Sequence, residues 1–233
     1  MGGGVAQREG ASHFADMEPH ANQPVVYAGA PFDSADAFMI LVHGRNAAPR
    51  NILELIPRFD RPRVACAGPA AAGGTWYPNS FMAPRASNEP GLSSALSMLD
   101  GLVASAMERG MPSHKILLLG FSQGACLTSE FVLRHPRRYG GVAIFSGGLI
   151  GQPGTRWDDV TGAPDSSLEG VPMFFGCSDV DPHIPQERVL ESEAVFARLG
   201  ARVRRTLYPG MGHLVNDDEI HELQLIIDEV LGD

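Results

Sequence analysis

Seven short apolar runs constrain this chain more than any other feature. They are PVVYAGAP (24–31), AFMILVHG (37–44), RVACAGPA (63–70), KILLLG (115–120), GVAIFSG (141–147), VPMFFGC (171–177) and ARVRRTLYP (201–209). Most are apolar at nearly every position, so as strands they need cover on both faces, which is the condition of a parallel sheet between helical layers. Helical patterns lie between several of them. Leu92, Leu96, Leu99, Val103 and Ala106 recur at steps of four and three, and Gly110 with Pro112 stops the run. Further helices are expected over 123–135, ended by Pro136, and over 186–200, closed by Gly200. A last helix opens at Asn216 with Glu219 three residues on, a capping-box spacing, and buries Ile220, Leu223, Ile227 and Val230. The expectation is an α/β fold with a mostly parallel central sheet and helices on both faces. The first two runs, with Asp33 and Ser34 between them, read as an antiparallel pair. No repeat or linker divides the chain. Residues 1–23, Gly-rich and polar, are expected to be a flexible N-terminal segment, and 24–233 one domain. The polar stretch 151–170 reads as a surface excursion between strands.

Composition narrows the function. The net charge of −9 disfavours a nucleic-acid partner, which needs clustered cations. Three widely spaced cysteines, Cys66, Cys126 and Cys177, lack metal-ligand or disulfide spacing and suit reduced thiols packed as small hydrophobes. Neither a signal-peptide core nor a membrane-spanning run is legible, so a cytoplasmic location without membrane insertion is the default expectation. Oligomeric state is not legible.

The chemistry centres on GFSQG (120–124). G-x-S-x-G is a cheap pattern by itself, but here it sits between a buried strand and a helix, where a nucleophile elbow belongs. Such a turn forces Ser122 into an unfavourable backbone region, and side chains at Gly120 and Gly124 would collide with the neighbouring strand and helix. The bland alternative is a tight turn whose hydroxyl caps the helix. A serine hydroxyl needs an adjacent base, and His213 follows the last strand on a Gly-rich loop, whereas His221 reads as a surface residue of the final helix. The acid is Asp179 or Asp181, both in GCSDVDPHIP after the strand at 171–177, and the other then shapes the turn. The backbone N–H groups of Gln123 and Arg45 are the expected oxyanion donors, so their side chains should matter less than displacement of either loop. His43 reads as a structural histidine holding that loop. Trp76, Tyr77, Phe81 and Met82 lie on a long loop after Gly73 and Gly74 and, from the residues alone, read as a loop anchored by its own aromatics. Arg202, Arg204 and Arg205 read as the solvated side of an edge strand.

ILVHGRN, WYPNSF, GFSQGA, SDVDPHIP and YPGMGHLV, in that order, resemble the phospholipase/carboxylesterase family of α/β-hydrolases, which includes acyl-protein thioesterases and small bacterial carboxylesterases. The resemblance covers about 38–230. It implies an α/β-hydrolase fold and cleavage of carboxylic esters or thioesters through an acyl-enzyme, with a small-molecule substrate and no cofactor or metal. It also implies Ser122 as nucleophile, His213 as base and Asp181, the Asp before Pro182, as acid, and it brings the loop of Trp76, Tyr77, Phe81 and Met82 to the site, as candidates for the substrate-binding wall. Many relatives have a glycine three residues before that Asp. Here the gap from Gly176 is five, which keeps Asp179 in play. The rival readings are a peptidase or a dienelactone hydrolase-like enzyme of the same fold, and a non-catalytic binding module on the scaffold.

Overall fold

The computed structural model describes residues 18–157 and 168–232. The strands are β1 (Val25–Gly29), β2 (Ala37–Val42), β3 (Val64–Pro69), β4 (Ile116–Phe121), β5 (Gly141–Phe145), β6 (Pro172–Ser178) and β7 (Arg202–Tyr208). The helices are α1 (Pro49–Leu53), α2 (Ile56–Phe59), α3 (Gly91–Glu108), α4 (Gln123–Arg134), α5 (Gln186–Arg198) and α6 (Asp217–Leu231). All seven strands join one sheet in the order β1-β3-β2-β4-β5-β6-β7. Every pairing is parallel except that of β1 with β3.

The continuous apolar runs are explained by period-two alternation into two cores. Phe38, Ile40 and Val42 of β2 and Ile116 and Leu118 of β4 face α3 and α4. Ala37, Met39, Leu41, Leu117 and Leu119 face the opposite layer, built by α1, α2 and α6. The apolar stripe of α3 is buried as its spacing predicts, from Leu92 through Ala106. The capping box of α6 forms in both directions: Asn216 Oδ1 accepts from the Glu219 N–H at 2.8 Å, and Glu219 Oε2 from the Asn216 N–H at 2.9 Å. As the outermost strand, β7 carries Arg202, Arg204 and Arg205 to ion pairs with Glu229, Glu222 and Glu193.

Two expectations change. β1 is antiparallel, but to β3 and not to β2. The short helices α1 and α2, unmarked in the sequence, carry the chain from β2 to β3 on its outer side, and β1 then closes the free edge of β3. The lead-in expected to be flexible up to residue 23 is packed in its described part. His20 is 1% exposed; its Nε2–H donates to the Trp76 carbonyl at 3.0 Å, and its Nδ1 accepts from the Ala72 N–H at 3.0 Å. Residues 1–17 lie outside the described residues, as do 158–167 of the polar excursion. Trp157 on that excursion is buried, with the guanidinium of Arg188 5.1 Å from its ring.

Candidate active site

β4 ends at Phe121 and α4 begins at Gln123, leaving one residue for the reversal. Ser122 makes it at φ 57° and ψ −121°, a conformation that L-residues adopt only when the surroundings impose it. The two glycines permit this. A Cβ on Gly124 would lie 2.1 Å from the Val42 carbonyl oxygen, and one on Gly120 2.4 Å from the Gly124 carbonyl oxygen. The Ser122 hydroxyl makes no capping bond to α4. It lies 2.8 Å from Nε2 of His213 instead.

His213 stands on the segment between β7 and α6. Its ring packs 5.0 Å from Phe121 and meets His183 edge-on at 4.9 Å. Its Nδ1 is 2.7 Å from Asp181 Oδ2. A carboxylate can only accept, so Nδ1–H is the donor, and Nε2 is left as acceptor for the serine O–H. Asp181 is fixed in turn by the N–H groups of His183 and Ile184, which reach Oδ1 at 2.8 and 3.0 Å. Burial alone would raise the Asp181 pKa; the hydrogen bonds from His213 and these N–H groups outweigh it and hold the carboxyl below the usual range. Asp179 occupies a different place. Its Oδ1 accepts from the Gly210 N–H at 2.8 Å, and its own N–H donates to the Tyr208 carbonyl, so it ties the loop of Asp181 to the loop of His213.

The main chain at Gly44 passes beside the serine: a Cβ there would be 3.3 Å from Ser122 Cβ. That brings the following N–H, of Arg45, to the site, where it has no acceptor among the described residues. Gln123 opens α4, whose first N–H groups lack acceptors within the helix. His43 supports this loop as a neutral ring. Nδ1–H donates to the Gly44 carbonyl at 2.8 Å, Nε2 accepts from the Ala71 N–H at 3.2 Å, and burial lowers its pKa.

The side chains of Arg45 and Gln123 do more than expected. Arg45 donates to the carbonyls of Tyr77, Pro78 and Asn79 at 3.0, 2.9 and 2.6 Å. Gln123 Nε2 donates to the Tyr77 carbonyl at 2.8 Å, and its Oε1 accepts from the Trp76 N–H at 3.0 Å. Both therefore hold the loop that walls the site. Tyr77 and Phe81 line a cleft of about 880 Å³ that reaches Ser122 and His213. Trp76, expected on the same wall, is instead fully buried beneath it, donating from Nε1 to the His43 carbonyl at 2.8 Å. Sequence reasoning missed His20, Gln123 as a clamp, and Arg58 on the cleft wall; His20 and Arg58 stand in no motif, and the GFSQG motif marks Gln123 only for its N–H. Among the described residues no group of three or more histidine, cysteine or acidic side chains could hold a metal ion.

A hydroxyl bonded to an imidazole that a carboxylate orients, with free N–H groups alongside, can attack an acyl carbonyl and stabilise the resulting oxyanion.

Comparison with known proteins points the same way. A crystal structure of a phospholipase/carboxylesterase from Dyadobacter fermentans superposes with a TM-score of 0.82 at 36% identity, over 90% of this chain and 97% of that one. The Bacillus cereus carboxylesterase shares the fold at a TM-score of 0.71 and 16% identity, over 92% of this chain and 97% of that one. Acyl-protein thioesterase 1 of Eremothecium gossypii is 30% identical over 131 residues, 54% of this chain and 52% of that protein. Such matches span about half the length of the curated relatives. The sequence profile described as Phospholipase/Carboxylesterase matches residues 65–231. On that match the chain belongs to the phospholipase/carboxylesterase family of α/β-hydrolases.

Proposed function

We propose that the protein hydrolyses carboxylic esters or thioesters through an acyl-enzyme on Ser122. His213 takes the hydroxyl proton through Nε2 as Ser122 Oγ bonds to the acyl carbon, then gives it to the departing alcohol or thiol. Asp181 holds the imidazole with Nε2 unprotonated towards the serine and stabilises the imidazolium. The N–H groups of Arg45 and Gln123 receive the oxyanion, each such donor being worth about 3–4 kcal/mol of barrier. Water activated by His213 releases the acid in the second half-reaction. Asp179 acts as a brace between the two loops.

The observation that carries this reading is the continuous chain Ser122 Oγ, His213 Nε2, His213 Nδ1, Asp181 Oδ2, with contacts of 2.8 and 2.7 Å. The names of the relatives, carboxylesterases and acyl-protein thioesterases, support the bond type. Ser122→Ala should lower turnover of a p-nitrophenyl ester by about 10⁴-fold or more while the fold persists by circular dichroism. A fluorophosphonate probe should label the wild type and not the variant. Wild-type turnover in Ser122→Ala would overturn the reading.

A further inference from the structure

The charged lining of the cleft is of one sign. Among the described residues its charged side chains are Arg45 and Arg58, with no aspartate or glutamate. The chain as a whole carries 27 acidic against 18 basic residues. Asp181 does not alter the lining, because its side chain has no exposure and lies behind His213. Two arginines and no carboxylate on a concave wall are an arrangement that suits an anionic ligand in an otherwise acidic protein.

The two arginines are held differently. Arg45 spends three of its five N–H donors on main-chain carbonyls and has no carboxylate partner among the described residues. Carbonyls fix the guanidinium without cancelling its charge. Arg58, on α2, also lines the cleft, as do Ile52, Leu55 and Val215, and its Nη1–H donates to the Val215 carbonyl at 3.3 Å. Its side chain is 35% exposed, and its carboxylate partner Asp217, 2.8 Å away, is 100% exposed. Ion pairs open to water in this way are weak, so the guanidinium can exchange Asp217 for a carboxylate that enters the cleft. Asp217 itself illustrates the group that Arg58 accepts.

We propose that the cleft selects esters that carry a carboxylate, with an apolar spacer along Ile52, Leu55 and Val215, the carboxylate on Arg58, and Arg45 strengthening the field that draws it in. This rests on the ester-hydrolase reading and names the substrate class of the same site.

Two matched pairs test it: mono-p-nitrophenyl adipate against p-nitrophenyl hexanoate, with the charge on the acyl side, and 4-acetoxybutyrate against butyl acetate, with the charge on the alcohol side. After subtraction of spontaneous hydrolysis, kcat/KM for the charged member of at least one pair should exceed that of its neutral partner on the order of tenfold at low ionic strength. The ratio should shrink in about 0.5 M salt. Arg58→Gln should bring it towards unity, and Asp217→Asn, which releases Arg58, should raise it above wild type. Equal turnover of both members in both pairs, or a ratio unmoved by Arg58→Gln and Asp217→Asn alike, would overturn the proposal while leaving the ester-hydrolase reading intact. No turnover of any of the four esters would remove that reading and this proposal with it.

Discussion

Asp179 and Asp181 are two positions apart and chemically identical, yet they meet different partners. Asp181 accepts from an imidazole and two N–H groups, Asp179 from a single N–H across the loop. As proposed, only the first orients the base, so Asp181→Asn should lower kcat by about 10⁴-fold by favouring the wrong imidazole tautomer. Asp179→Asn should lower it far less, and steady-state kinetics on the two variants separates the roles. The depressed pKa of Asp181 also has a thermodynamic sign. Its contribution to stability is complete above the ordinary carboxyl value of 3.8 and is lost as pH falls through the lower native value. Gln123 belongs to the same scale. Its amide bonds Trp76 and Tyr77 on both sides, so Gln123→Ala should weaken activity although the oxyanion donor, a main-chain group, is unchanged. The sequence pattern marked Gln123 only as the residue after a serine; its clamp depends on a loop some 46 positions away.

At the scale of elements, the strand-to-helix turn carries backbone strain and the opening of α6 a buried acid. Gly124→Ala would drive a methyl group into the carbonyls of Val42 and His43 and should destabilise the protein by about 2–5 kcal/mol in urea unfolding, with loss of activity. Glu219, third residue of α6, is fully buried; its Oε1 has no hydrogen-bond partner among the described residues, and burial pushes its pKa up to about 7. The native state therefore keeps a proton that the unfolded chain releases near 4.5. The corresponding stability is complete below that value and is lost as pH rises through about 7. Glu219→Gln cannot ionise and should be less sensitive than the wild type to a rise from pH ~5 to ~8, by about 1–3 kcal/mol in urea unfolding at the two pH values. A wild type and variant with parallel pH profiles would show that Glu219 ionises normally. The capping box itself was legible from Asn216 and Glu219, since it depends on residues three apart; the burial of the acid was not.

Across the whole molecule, the segment before β1 is bound to the wall of the candidate site. The rings of His20 and His43 pack 5.5 and 4.9 Å from Trp76, and burial holds both imidazoles below their ordinary value of 6.5. Stability from these neutral rings is complete above 6.5 and is lost as pH falls through their lower native values. His20→Ala should cost about 2–3 kcal/mol of unfolding free energy, because it strands the Trp76 carbonyl and the Ala72 N–H. An imidazole NMR titration should place the His20 midpoint below 6.5; a midpoint at or above that value would contradict the burial. Much of the architecture was written locally: the apolar runs, the four-three spacing from Leu92 to Ala106, and the glycines around Ser122 each express periodicity or sterics within a few residues. Those signals were enough for a parallel sheet between helices and for the elbow. Position in the sheet was not among them, because β1 carries no mark of whether β2 or β3 will present a free edge. Nor was which carboxylate meets His213, the burial of Trp76 or the packing of His20. Each of these depends on which distant backbone groups arrive alongside, and only the closed fold, bringing Ser122 and His213 to 2.8 Å across 91 positions of chain, determines that.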